Sequence, residues 1–269
     1  MVRKWYDISD MANSEIEVHI SKSPTAQVTK YPDGTWRLEI PADSQRGYRI
    51  AQLDDHGSRR RSDFRWQPPL QLSLQARVSA HDLPGTWGFG LWNDPFSLMI
   101  AYVGLGPRLP TLPDAAWFFH ASPQNYLSFR DDLPANGFLA ATFHSKKIPA
   151  PLLALASPLL ALTLIPGAAR AVRRLIRRLV RQDATSIDTD VTAWHAYGMQ
   201  WTPDQVSFSL DGRNILQTNV APGGPLSLVI WVDNQYASLP PRDRFRYGTL
   251  PNPEPAWLEI KGLSAQKLA

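Results

Sequence analysis

The chain has 269 residues, 43% of them hydrophobic and 19% charged, with a formal net charge of +4. That length and apolar content supply a full core and exclude a disordered or fibrous chain. Cysteine is absent, which excludes disulfides and thiol chemistry. Six arginines, Arg170, Arg173, Arg174, Arg177, Arg178 and Arg181, sit close together, and without them the chain is net −2. The positive charge therefore belongs to one segment, which speaks against a general nucleic-acid-binding surface. Residues 1–13 contain Arg3 and Lys4 with no apolar run after them, so no secretory signal is read and a cytoplasmic location is expected.

In chain order, residues 15–20 and 35–40 alternate as strands do, with Tyr31-Pro32-Asp33-Gly34 as the turn signal between them. Residues 47–52 form the next predicted strand and 56–62 a polar loop. Leu70–Val78 alternates cleanly, Leu70, Leu72, Leu74 and Ala76 on one face and Gln71, Ser73, Gln75 and Arg77 on the other. In Thr86–Trp92 the glycines Gly88 and Gly90 flatten one face, where a backbone or ligand can approach. Further strands are expected at 98–103, 115–120, 126–129 and 137–144, with a loop at 104–114. Beyond residue 182, strands are expected at 214–220, 226–232 and 256–260, the last two separated by a long proline-bearing loop. About a dozen strands without alternating helices predict an all-β, two-sheet sandwich, a single domain over residues 12–265.

One segment breaks the pattern. Residues 148–169 carry no charge and are dominated by leucine and alanine. Residues 168–182 then read as an amphipathic helix, with Val172, Leu175, Ile176, Leu179 and Val180 on one face and the arginines on the other. The apolar part is long enough to cross a bilayer. Pro149, Pro151, Pro158 and Pro166 interrupt it, however, and strands of one sandwich flank it on both sides. It is therefore read as an inserted helical pair at 148–182, broken at Pro166-Gly167. Three roles stand open: packing on the sandwich, oligomerisation, or attachment to an anionic membrane surface through Arg170, Arg173, Arg174, Leu175, Arg177, Arg178, Leu179 and Arg181. The last would place the protein at the inner membrane face.

Residues 194–212 are the most informative. His195-x-Tyr197-x-x-x-Trp201-x-Pro203-Asp204, a short strand, and then Asp211-Gly212 read as two strands and a hairpin turn. This pattern resembles the late strands of the concanavalin A-like jelly rolls, glycoside hydrolase family 16 in particular. The resemblance runs from about Thr35 to Ile260 and implies a jelly-roll fold with a sugar on a concave sheet. It also implies Glu-x-Asp-x-Glu or Glu-x-Asp-x-x-Glu on one strand, because alternate residues share a face and aim two carboxylates into one cleft. The place for that motif here reads Pro113-Asp114-Ala115-Ala116-Trp117-Phe118-Phe119-His120-Ala121, and no glutamate occurs between Glu39 and Glu254.

The expected function is thus non-catalytic, lectin-like binding of a carbohydrate or similar polar ligand. A hydrolase or transglycosylase with displaced carboxylates, and a membrane-attached structural adaptor, are the alternatives. Candidate ligand residues are Trp92, Asn93 and Asp94 at one strand end, Trp117, Phe119 and His120 on the strand lacking carboxylates, and Trp231, Asp233, Asn234 and Gln235 at another strand end. No metal-ligand spacing appears among the histidines, no catalytic residue is assigned, and no cofactor is expected. The resemblance allows a structural calcium, although no aspartate-rich loop marks one.

Overall fold

A computed structural model describes residues 5–8, 16–44, 47–95, 108, 111–156 and 163–268. Two large antiparallel sheets make a jelly-roll sandwich. Sheet A contains, in spatial order, β1 (Trp5–Ile8), β2 (Ile16–Lys22), β5 (Ile50–Asp54), β14 (Ser227–Asp233), β7 (Thr86–Trp92), β8 (Ala115–Ala121), β9 (Gly137–Ser145) and β10 (Val180–Ser186). Sheet B contains β13 (Arg213–Thr218), β12 (Val206–Leu210), β11 (His195–Trp201), β6 (Leu70–Val78), β17 (Ala256–Lys267), β4 (Trp36–Ile40) and β3 (Gln27–Lys30). A separate hairpin pairs β15 (Gln235–Ser238) with β16 (Arg246–Thr249). Two helices, α1 (Ala150–Ala156) and α2 (Pro166–Leu179), lie between β9 and β10.

The alternation of β6 is the burial pattern of the strand: Leu70, Leu72, Leu74, Ala76 and Val78 are buried and the residues between them are not. They meet Tyr197, Met199 and Trp201 of β11, Phe208 of β12, and Phe89, Phe118 and Ile230 of sheet A in one continuous core. The β12–β13 hairpin closes at Asp211-Gly212, where φ is +48° and +78°, between the paired residues Leu210 and Arg213. Two successive positive φ values match the twist of the flanking strands, which is why Asp-Gly stands there.

Other expectations differ from the structure. Segment 126–129 is not a strand; Tyr126 makes a single bridge to Ser238. The proline-bearing loop holds β15 and β16, and β3 had no reading of its own. The strand expected at 98–103 lies outside the described residues. The amphipathic helix ends at Leu179, not Gln182, because Val180 to Ser186 pair with β9 as an edge strand, Arg181 opposite His144. Pro166 does not break a helix but opens α2, at the first turn where its missing N–H costs nothing.

The faces of α2 also differ from the expected division. Arg173 is 2% exposed whereas Leu175 is 54% exposed among the arginines. Ile176 and Leu179 pack against aromatic residues on the outer face of sheet A. Arg173 Nη1 donates to the carbonyls of Ser128 (2.6 Å) and Leu239 (2.8 Å), and Nη2 pairs with Asp131 Oδ1 at 2.8 Å. A buried guanidinium with this many acceptors is a strong tie. Helix α2 is therefore fixed to the loops that lie over sheet A.

Candidate functional site

The outer face of sheet A, away from the core, is built by every second residue of five neighbouring strands. The register sets them in rows. Gln52, Trp231, Gly88 and Phe119 stand side by side across β5, β14, β7 and β8, as do Ile50, Asp233, Thr86 and Ala121. In the next row Gly90 and Ala141 flank Trp117. Large rings thus sit beside residues with almost no side chain. A Cβ on Gly88 would lie 2.5 Å from the Phe118 carbonyl oxygen and 2.8 Å from Trp231 Cη2. Gly88→Ala is expected to destabilise the fold by about 1–3 kcal/mol through overpacking, measured by urea denaturation; an unchanged midpoint would contradict this packing.

These rings form a second apolar cluster, separate from the core. Trp92 and Trp231 are parallel within 7° at 6.4 Å, and Trp117 contacts both at 6.3 and 5.7 Å. Above them the 125–129 segment, β15 and Phe245 line the sides of a partly open cavity of about 220 Å³.

The polar groups of the lining are largely committed to each other. Asp233 Oδ1 accepts from Thr86 Oγ1 (2.8 Å), Thr86 N (3.1 Å) and Gln235 N (3.3 Å). Thr86 Oγ1 accepts from Trp231 Nε1 at 2.9 Å. Gln52 Nε2 donates to Asp54 Oδ2, and Asn125 uses its amide on Gly85, Ser122 and Ala237. Ser128 Oγ donates to the Arg130 carbonyl. By contrast, Trp117 Nε1 is buried without a hydrogen-bond partner among the described residues, and the Tyr48 hydroxyl faces the Asp233 carboxyl. Burial raises the Asp233 carboxyl to about 7 against the hydrogen bonds from Thr86 and Gln235. Burial also pushes the Tyr48 hydroxyl well up, and the Asp233 charge acts in the same direction. This end of the cavity therefore holds a neutral phenol beside a carboxyl that keeps its proton to higher pH than an exposed one.

Gln52 joins the cavity to a buried charged group at the end of β5. Asp54 accepts from Gly57 N at 2.8 Å and Gln52 Nε2 at 2.9 Å, and faces His56 Nδ1 at 3.2 Å and His19 Nδ1 at 3.6 Å. Although burial opposes it, the His56 and His19 rings hold the Asp54 carboxyl far below its usual range. Asp55, which accepts from Leu228 N (2.8 Å) and Trp66 Nε1 (2.5 Å), is raised by burial to about 6.

The structure brings together Trp92, Trp117, Phe119, Trp231, Asp233 and Gln235 of the predicted ligand residues, all on the cavity wall. Four others stand elsewhere. His120 shares its side of β8 with Ala116 and Phe118, because strand neighbours point oppositely; it faces the core and stacks on Trp87 at 5.6 Å. Burial lowers its pKa to about 4. Asn93 braces the 112–114 segment through Leu112 O and Asp114 N. Asp94, at φ +50°, pairs with Arg108. Asn234, fully buried, ties Gly47, Arg49 and Leu250 together.

Cavity residues that were not foreseen include Tyr48, Ile50 and Gln52, whose alternate spacing in one predicted strand was a usable signal. Leu127 and Phe129 alternate within the segment expected as a strand at 126–129, which was a usable signal, whereas Phe245 comes from an irregular segment and carried none. Among the described residues no three His, Asp or Glu side chains group to hold a metal ion.

No protein-family model matches the chain, and no curated protein matches it in sequence. Solved structures do align with it. A glycoside hydrolase family protein from Mycobacterium thermorestibile is 14% identical over 89% of this chain and 79% of its own, with a TM-score of 0.48. The catalytic domain of an endo-1,3-beta-glucanase (laminarinase) from Thermotoga petrophila is 12% identical over 92% and 82%, at 0.43. The binding domain of botulinum neurotoxin DC, solved with SialylT, is 7% identical over 95% of this chain and 44% of its own, also at 0.43.

Proposed function

We propose that the protein is a non-catalytic binding protein whose cavity on sheet A holds one small, mainly apolar ring compound with a single hydrogen-bonding end. The supporting observation is the state of the lining: aromatic walls, polar groups already paired, and Trp117 Nε1 left over. An apolar cavity of roughly 150 Å³ accepts benzene, so about 220 Å³ suits one substituted ring. Each buried hydroxyl left unpaired costs roughly 1–3 kcal/mol, which weighs against a ligand carrying hydroxyls all round. Non-catalysis rests on the strand position of the paired carboxylates, where Trp117 and Phe119 stand. Asp233 is the one carboxylate on the cavity wall among the described residues.

A second reading, carbohydrate binding, is favoured by the three tryptophan faces around one cleft, since aromatic faces stack on the C–H faces of sugar rings. One titration separates the two. The purified protein is titrated with 4-nitrophenol, one ring with a single polar end, and, separately, with β-glucan oligosaccharides, following tryptophan fluorescence, and glucan hydrolysis is read in the same samples. Saturable binding of the nitrophenol with silent oligosaccharides is expected. Trp117→Phe is expected to weaken binding of a ligand with a polar end by up to about tenfold, the worth of one hydrogen bond. Oligosaccharide binding alone would replace the first reading by the second, and glucan turnover would overturn both.

A further inference from the structure

We propose that the exposed face of the inserted helices, with Leu164, Ile165 and Leu175 set among Arg170, Arg174 and Arg178, is a docking surface for an anionic phospholipid bilayer. Of the six exposed large hydrophobic residues among those described, Leu175 lies on α2, Leu164 and Ile165 just before it, and Leu152 on α1, each more than half exposed. Arg170, Arg174 and Arg178 form a row of i, i+4 and i+8 beside Leu175 on α2. None of the three has a carboxylate partner among the described residues, whereas Asp131 takes up Arg173 and Arg177.

The charge is separated on a larger scale. Residues 146–181 hold eight cations and no acid, so the rest of the chain, with 20 cations against 24 acids, is net negative. An anionic surface therefore attracts this face and repels the body, which sets the orientation. Exposed leucines between the arginines suit a lipid interface, where guanidinium groups meet phosphates and aliphatic side chains enter the acyl boundary. A soluble polyanion would gain nothing from them. No helix among the described residues is long and apolar enough to cross a membrane, so docking is peripheral.

The surface also sits at the cavity. Arg173, on the inner side of the same helix, holds the carbonyls of Ser128 and Leu239, and Phe245 N donates to the Thr163 carbonyl. Ser128, Leu239 and Phe245 all line the cavity. Docking would place that lining about one helix diameter, roughly 10 Å, from the lipid, whatever the cavity holds.

The test is flotation of the full chain with vesicles of pure phosphatidylcholine and of phosphatidylcholine with 30% phosphatidylglycerol, at low and high salt. The expected result is binding to the anionic vesicles only, weakened by salt as the Debye length shortens. The combined variant R170Q, R174Q and R178Q is expected to bind about a hundredfold more weakly, at roughly fivefold per cation. The combined variant L164S, I165S and L175S is expected to lose at least tenfold at unchanged net charge. All six positions are exposed, and unchanged circular dichroism and melting show that the fold is kept. Trp117→Phe should float as the parent does, which separates this proposal from the ligand reading. It is overturned if the parent ignores anionic vesicles, if the serine variant binds as well as the parent, or if these leucines bury instead in a dimer detected by sedimentation.

Discussion

Replacing Asp54 by alanine is expected to destabilise the protein by about 3–5 kcal/mol, the range for removing one partner of a buried charged network. The carboxylate is fully buried and receives Gly57 N, Gln52 Nε2 and Ser21 Oγ, with His19 and His56 on either side. Removing it leaves two buried imidazoles and at least three donors without their acceptor, each of which carries a desolvation cost. The pH dependence has a definite sign. The folded-state pKa lies below the unfolded value, so the contribution is fully present above about pH 4 and is lost as the pH falls further. Urea unfolding at pH 7 checks the magnitude, and a loss below about 1 kcal/mol would mean the network is not organised around Asp54. A parallel series toward pH 3 should bring parent and variant closer together.

Asp233→Asn is expected to act with the opposite sign. The folded-state pKa is raised to about 7, so the native state holds a proton that the unfolded chain has released. Stability from this group is complete below about pH 4 and declines as the pH rises toward 7. Asparagine resembles the protonated acid and can still accept from Thr86 and Gln235. Relative to the parent, the variant should gain about 3–4 kcal/mol between pH 4 and pH 8, three pKa units at about 1.36 kcal/mol each. Asp55, raised to about 6, and His120, lowered to about 4, titrate in both proteins and cancel in the difference. Thermal or urea unfolding across pH 4–8 measures it; a difference that does not change with pH would show that Asp233 titrates like an exposed carboxylate.

What could be read from the residues follows from periodicity. Leu70–Val78 and the Asp211-Gly212 turn were legible because a two-residue repeat and a positive-φ pair each have one structural meaning. Strand β10 was not, because Val180 continues the 3.6-residue spacing of Val172, Ile176 and Leu179; pairing with β9 overrides the local pattern. The two sides of α2 were misjudged for a related reason. Hydrophobic spacing alone could not foresee that Ser128 and Leu239, distant in sequence, would present carbonyls to Arg173. On the cavity wall, Trp92 and Trp231 were legible from strand ends, and Trp117 and Phe119 from the place the resemblance gives to the carboxylate strand. His120 points away because a strand turns neighbouring residues to opposite faces, and Asn93, Asp94 and Asn234 lie past the strand ends, where loop contacts hold them. Leu127, Phe129 and Phe245 arrive from segments whose course is set by tertiary contacts.

Among the described residues both large sheets are open, and an open sheet has unpaired backbone groups along its outermost strands. In this sandwich β10, β3 and β13 stand at such edges. Their sequences, VRQDATS, QVTK and RNILQT, place Arg181, Lys30 and Arg213, all exposed, where another strand would have to add. Charged edge residues oppose strand addition because a joining chain would desolvate them. At these three edges, therefore, charge works against growth into a cross-β polymer.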